Sequence, residues 1–313
     1  MSSGMVRSLL KKVAKASRRS EFTWRYASNL NATLNHTLHR HDLSEQARQV
    51  VDSLNRDGLA MMDASKLLGE SSLLGELSAA VDQLEQDNQE LLKADRGNAD
   101  DSAEANARKP YVRYLLGDRP TLDMQSVFVR FALQKPILRI ANEYFGMTTR
   151  LAYFNVWHTY KTTSPAQSSQ LWHRDFDDPH YIMKIFVYMS DVDEGSGPLS
   201  YAIGSHSKGK MKGEPDFVSK TSNSRRSSDQ QMAEVIPPER WIPAFGPKGT
   251  IVFADTHGYH KGGWAKESER IVYTCMFTSP AVQLRPDREQ FIRSEDFQLP
   301  SDPEIAAVLT PRR

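Results

Sequence analysis

Two side chains of metal-ligating type, His173 and Asp175, stand two positions apart in Leu171-Trp172-His173-Arg174-Asp175. Alternate residues of a strand share a face, so in this apolar, strand-like setting both point the same way. One more histidine, delivered from another strand, would complete a set of two imidazoles and one carboxylate. Such a set holds one face of an octahedron and leaves three positions open, the arrangement of non-haem Fe(II) sites. The run Asp255-Thr256-His257-Gly258-Tyr259-His260-Lys261-Gly262-Gly263 supplies two candidates, His257 and His260. They lie three positions apart and do not project alike from a strand.

Three fixed ligands leave room for a bidentate organic acid and dioxygen, and the far end of that acid needs an anchor. Arg270, ten positions after His260, opens the next predicted strand. Its planar guanidinium stays charged and can bind a carboxylate through two parallel hydrogen bonds. Other candidates weigh less. His36, His39 and His41 sit beside Asp42 in a polar segment ahead of a helix, with no further group converging on them. Asp177 and Asp178 follow Asp175, but Pro179 takes the chain out of the strand there. His206 reads as a loop residue.

The elements that must position these groups change character near Arg150. Before it the pattern is helical: Leu43, Ala47, Val50, Val51 and Leu54 form one stripe ending at Gly58, with Asp42 and Glu45 as a capping box. A short strand follows over Gly58 to Met62. A second stripe carries Leu73, Leu74, Leu77, Val81, Leu84 and Leu91. The polar stretch 94–108 reads as a loop, and Val127 to Phe145 as helix interrupted near Pro136. Beyond Arg150, short alternating runs predict strands near 151–160, 181–189, 198–203, 250–254 and 270–278, the texture of a sandwich or barrel. A polar insert at 205–240, with Lys208, Lys210, Lys212, Lys220, Arg225 and Arg226, reads either as a lid over the site or as a solvated excursion.

Lys+Arg 40 against Asp+Glu 39 gives a net charge of +1, and nothing in that balance calls for nucleic acid as a partner. The single cysteine, Cys275, excludes an intrachain disulfide and suits a reducing, cytoplasmic setting. It lies in a strand-like run and reads as an inert core thiol. No apolar run is long enough for a transmembrane segment. The basic N-terminus, with Val6, Leu9, Leu10 and Val13 among Lys11, Lys12, Lys15, Arg18 and Arg19, reads as a helix laid on the domain. A peripheral membrane or targeting role is the alternative.

Several motifs in order resemble the phytanoyl-CoA dioxygenase family of Fe(II)/2-oxoglutarate-dependent oxygenases. They are Trp172-His173-Arg174-Asp175, the strand Lys184 to Val192, Gly197-Pro198-Leu199 with Gly204-Ser205-His206, and His260-Lys261-Gly262-Gly263 up to Arg270. The resemblance covers about 150–280 well and the N-terminal part more loosely. It implies a double-stranded β-helix, or jelly-roll, over 111–313, mainly β with flanking helices. Residues 1–110 then form an N-terminal helical region packed on that core.

The family pattern of histidine, basic residue and two glycines favours His260 over His257, so the implied iron ligands are His173, Asp175 and His260. Arg270 would hold the distal carboxylate of 2-oxoglutarate. The reaction carried over uses O2 to convert 2-oxoglutarate to succinate and CO2 and to hydroxylate a C–H bond of a small or carrier-linked substrate. Related halogenases put a small residue where Asp175 stands, so the chain resembles a hydroxylase. Gly262 departs from members that place a serine there. Lys184 supplements Arg270 if it points inward and is otherwise a surface lysine. Trp172 and Asn155 are candidate pocket-lining residues at the co-substrate, or else a packed aromatic and a strand-end asparagine. The remaining readings are a jelly-roll metal enzyme that uses no 2-oxo acid and an inactive jelly-roll binding protein.

Overall fold

The alternating runs after Arg150 form strands at almost the predicted positions. A computed structural model describes residues 20–69, 72–98, 110–211, 225–282 and 290–310. The basic N-terminal helix expected over the first residues lies outside these, as does part of the polar insert. In chain order the strands are β1 (Leu59–Asp63), β2 (Val112–Tyr114), β3 (Thr121–Leu122), β4 (Arg150–Thr159), β5 (Met183–Tyr188) and β6 (Leu199–Ala202). They continue with β7 (Trp241–Pro243), β8 (Thr250–Asp255), β9 (His260–Gly262), β10 (Arg270–Thr278) and β11 (Ile292–Arg293).

A six-stranded antiparallel sheet, in the order β1-β8-β5-β10-β4-β2, faces a three-stranded antiparallel sheet, β7-β6-β9. This is the double-stranded β-helix with flanking helices that the family resemblance implied. The period of two divides the large sheet into two faces. Phe154 and Val156 of β4, Ile185 and Val187 of β5, Phe253 of β8 and Tyr273, Cys275 and Phe277 of β10 point out to the helices. There they share one core with Val50, Leu54, Leu138 and Phe145. Phe186, Tyr188, Val252 and Val272 point the other way and meet Leu199 and Tyr201 of the small sheet. Each such side chain, fully buried, contributes roughly 1.5–3 kcal/mol, so both layers are firmly held. Cys275 is buried and burial pushes its thiol up, as an inert core residue requires.

The N-terminal region also builds the sheet. Helix Glu45–Asp57 buries Ala47, Val50, Val51 and Leu54, then stops at Gly58, whose φ of 81° is left-handed and suits glycine. The chain turns there into β1, the edge partner of β8. The helix cap is Ser44 rather than Asp42: its hydroxyl accepts from the Ala47 N–H at 3.2 Å. A break at Leu133 and Gln134 separates Val127–Ala132 from Lys135–Phe145, with Pro136 in the first turn, where its missing N–H costs no bond. The second apolar stripe is split between Leu73–Asp87 and Gln89–Asn98. The latter helix extends into the stretch expected to be a loop. Tertiary ion pairs account for that: Arg96 clasps Glu269 at 2.7 Å through two nitrogens, and Asp95 accepts from Arg113 Nε at 2.6 Å.

Candidate metal centre

Between the two sheets lies a cavity of about 120 Å³. Lys184, Phe186 and Tyr188 of β5 and Arg270 and Val272 of β10 line it from the large sheet. His260 and Gly262 line it from β9, and His173 and Asp175 from the segment after Gln170.

His173 and Asp175 do not sit in a regular strand. His173 forms an isolated bridge with His260, each backbone N–H donating to the other's carbonyl at 2.9 Å. The Asp175 N–H donates to the Thr256 carbonyl at 2.9 Å. Even without a regular ladder, His173 and Asp175 both face the cavity while Trp172 packs away from it. The imidazoles of His173 and His260 stand 4.2 Å apart, centre to centre. One ligand atom from each of His173, Asp175 and His260 lies within 4.8 Å of the others.

The hydrogen bonds around the rings leave the right atoms free. His173 Nδ1 donates to the Leu171 carbonyl at 2.8 Å, and His260 Nδ1 to the Gly258 carbonyl at 3.0 Å. With the proton fixed on Nδ1, each Nε2 keeps its lone pair for a metal. Burial lowers the basicity of both rings, His260 to about 4, so they are neutral and competent as ligands at pH 7. Asp175 behaves oppositely. Its burial disfavours the charge, but Lys184 and then the two imidazoles outweigh that and hold the carboxyl well below the usual range. Lys184 Nζ lies 2.7 Å from Asp175 Oδ2 as an ion pair without hydrogen-bond directionality, and Oδ2 is buried with no directed donor. Two neutral nitrogens and an ionised carboxylate converging in one buried cavity fit a divalent metal of the Fe(II) type.

Arg270 is buried, and its Nη1 donates to the Gly197 carbonyl while its Nε has no partner. A guanidinium with a spare buried donor in a cavity wall suits a carboxylate. Gly197, at φ 70°, packs backbone to backbone on Gly263: a Cβ there would lie 2.6 Å from the Gly263 carbonyl. Gly262 differs, since a Cβ there meets only the Ser169 carbonyl, at 3.5 Å.

The other candidates sort clearly. Lys184 points inward, but onto Asp175 rather than to Arg270. Trp172 is fully buried outside the cavity lining, packed on Trp241 and donating from Nε1 to Asp229 at 2.7 Å. Asn155 also stands outside it. Its amide donates to the Gly117 carbonyl at 2.8 Å and its oxygen accepts from the Val156 and Leu116 N–H groups. His257 stands outside the ligand cluster, with Nδ1 3.3 Å from the Asp175 carbonyl. Asp178 is spent on the backbone N–H groups of His180 and Ser279. His36 and His41 line a separate surface pocket with His39 and lie near different carboxylates, Glu143 at 3.5 Å and Glu304 at 3.6 Å, so they do not converge. Ser169 and Arg226 also line the central cavity. Arg226 was hidden in a run of like charges, where only its pairing partner reveals which way it points.

Among solved structures the chain is similar to the epimerase SnoN in complex with Fe3+, alpha ketoglutarate and nogalamycin RO, with 16% identity and a TM-score of 0.50 over 80% of this chain and 96% of that one. It is also similar to AviO1 from Streptomyces viridochromogenes Tue57, with 17% identity and a TM-score of 0.49 over 78% and 100%. EctD from S. alaskensis with 2-oxoglutarate and 5-hydroxyectoine gives 15%, 0.49, 82% and 91% in the same order. At this identity the likeness to SnoN speaks to the fold alone. A comparison with curated protein sequences finds no match. Among the described residues no helix is long and apolar enough to cross a membrane. The family profile described as phytanoyl-CoA dioxygenase matches residues 55–266, more than half of the 313. That span contains His173, Asp175 and His260 and stops just short of Arg270, and by it the chain belongs to the phytanoyl-CoA dioxygenase family, enzymes dependent on iron and 2-oxoglutarate.

Proposed function

We propose that this chain is a hydroxylase of that class. In this reading His173 Nε2, His260 Nε2 and the Asp175 carboxylate hold Fe(II), and Arg270 binds the distal carboxylate of 2-oxoglutarate. The substrate is a small or carrier-linked organic molecule. The observation that carries the reading is the convergence of three ligand atoms within 4.8 Å in a cavity whose wall also presents the buried Arg270.

The protein's own part is positioning. The His173–His260 bridge fixes both rings relative to one another, and the carbonyls of Leu171 and Gly258 hold their tautomers. Arg270 orients the diacid through its charge and fork, and Phe186, Tyr188, Leu199 and Val272 exclude water from that part of the cavity. When bound, iron with 2-oxoglutarate and O2 supplies the oxidising power that no side chain here has. The carboxylate at Asp175 fills the position that an exogenous halide would need, which supports hydroxylation.

Succinate release from 2-oxoglutarate should require Fe(II) and O2. It should vanish in Asp175→Ala while the melting curve stays cooperative. Arg270→Lys keeps the charge and loses the fork, so the KM for 2-oxoglutarate should rise by about tenfold, roughly 1.4 kcal/mol. Unchanged turnover in Asp175→Ala, or an unchanged KM for 2-oxoglutarate in Arg270→Lys, overturns the reading. The product is expected to carry one added oxygen atom, read by mass spectrometry.

A further inference from the structure

The cavity holds a cation that the proposed function leaves unused. Trp172 and Ser227 exchange backbone hydrogen bonds at 3.0 Å each, and one step along this antiparallel pairing sets Arg226 opposite His173. Paired residues share a face. Trp172 turns to the outer packing, so His173 and Arg226 turn inward together, and Arg226 lines the same cavity as His173, Asp175, His260 and Arg270.

Its backbone is pinned on both sides. Arg225 adopts the left-handed region at φ 49°, uncommon for a side-chain-bearing residue, and its guanidinium lies over the Phe176 ring at 4.6 Å. After Ser227, Ser228 caps the helix Asp229–Ala233 by accepting from the Gln231 N–H at 3.2 Å, and Asp229 is held by Trp172 Nε1. A guanidinium on such a base is placed in advance of any ligand.

Charge gives it a role. Among the residues lining the cavity, Lys184, Arg226 and Arg270 face a single carboxylate, Asp175, and Lys184 already sits 2.7 Å from it. No described carboxylate is in ion-pair contact with Arg226. A divalent metal and a dianionic co-substrate offset each other, so they leave the cationic excess in place. A half-buried, unmatched guanidinium in a low-dielectric cavity attracts an anion and disfavours a cation.

We infer that Arg226 selects the substrate: the molecule oxidised in this cavity is a small organic acid whose oxyanion, carboxylate or phosphate, is bound by the Arg226 guanidinium. This rests on the hydroxylase reading of the same site. It commits the enzyme to anionic substrates, and makes Arg226 a specificity-determining residue rather than a second anchor for 2-oxoglutarate.

The test is equilibrium binding to the full-length protein carrying Zn(II) and 2-oxoglutarate, which permits no turnover. Ligand-observed NMR would screen small carboxylic acids, phosphate monoesters, and the neutral amide or alcohol counterpart of each. Acids should bind about tenfold or more tighter than their counterparts, with the carboxylate and phosphate arms showing which oxyanion is taken. Arg226→Gln should weaken the acids by about tenfold or more, and Arg226→Lys should retain part of the preference, since it keeps charge without the fork. Thermal unfolding of each variant checks the fold. The inference is overturned if neutral counterparts bind as well as acids, if acids bind Arg226→Gln unchanged, or if that variant loses 2-oxoglutarate as strongly as the acids. Succinate release by the Fe(II) protein, run in parallel, tests the hydroxylase reading alone. Its failure would leave the binding result intact and so be told apart.

Discussion

Lys184 and Asp175 are paired across the floor of the cavity, Nζ to Oδ2 at 2.7 Å, so the carboxylate proposed to ligate metal already has a partner within the chain. A cation arriving at Oδ2 competes with that ammonium. Removing the ammonium strands a mostly buried carboxylate, so Lys184→Met should destabilise the metal-free protein by about 2 kcal/mol. That is less than for a fully buried pair, because side-chain exposures of 17% and 15% leave some solvent screening. The metal then becomes the main counter-charge. The rise in melting temperature on adding Fe(II) anaerobically should therefore be larger in Lys184→Met than in the parent, and an equal rise would refute the competition.

His257 and His260 provide a sharper comparison within one motif. His260 presents Nε2 to the cluster, while His257 is turned to the Asp175 carbonyl and the edge of Phe176. His260→Ala should lose bound iron and His257→Ala should keep it, as read by metal analysis after anaerobic loading. The reverse pattern would transfer the ligand role.

A second histidine network predicts a pH response in stability. His158 is buried with Nδ1 3.0 Å from Glu85 and Nε2 2.8 Å from Glu269, and Glu269 is also clasped by Arg96. Burial opposes the imidazolium, yet the two carboxylates outweigh it and the pKa is raised above 6.5. Stabilisation from His158 is therefore complete below pH 6.5 and fades as pH climbs through the raised folded value. Burial likewise opposes the Glu269 charge, but Arg96 and His158 bring it from 4.5 to about 2. That share is present above pH 4.5 and fades as pH falls toward 2. Urea denaturation between these limits and alkaline pH should show stability declining above pH 6.5 in the parent. The decline should be shallower in His158→Gln, and equal slopes would reject the network as its cause.

Much of this was legible in local pattern. Alternation located the strands that bear Lys184 and Arg270, the helical stripe ended where Gly58 permits a left-handed turn, and the interruption expected near Pro136 fell at Leu133 and Gln134, just ahead of the proline, whose ring cannot continue a preceding helix. Facing was harder to read. Trp172, by sequence a candidate pocket-lining residue, alternates with His173 and packs outward on Trp241, whereas the facing of Arg226 depends on a bridge to a distant segment that no local period encodes. The helix Gln89–Asn98 was read as loop in its second half because its support is tertiary, through Arg96 to Glu269 and Asp95 to Arg113. Lys208, read as one of a solvated run, is turned onto the Tyr144 and Tyr181 rings, and burial lowers its pKa to about 8. Charge alone did not distinguish those two environments.

Adjacent glycines in the metal-site motif should respond oppositely to substitution. At Gly262 an added Cβ finds only the Ser169 carbonyl, at 3.5 Å, an ordinary contact, and the side chain enters the cavity. At Gly263 the same atom falls 2.4 Å from the Pro198 carbonyl and 2.8 Å from the Gly197 Cα, both backbone, where nothing rotates aside. Gly262→Ser should therefore keep stability within about 0.5 kcal/mol, as uncrowded substitutions usually do, and add a hydroxyl to the cavity. Gly263→Ala must push β9 away from the Gly197–Pro198 turn. It should cost on the order of 2 kcal/mol or more, as overpacking against fixed backbone does, and it shifts the carbonyl that holds Arg270. Paired melting curves, with 2-oxoglutarate affinity measured alongside, should separate the two: a stable Gly263→Ala with unaltered affinity would show that the turn does not position Arg270.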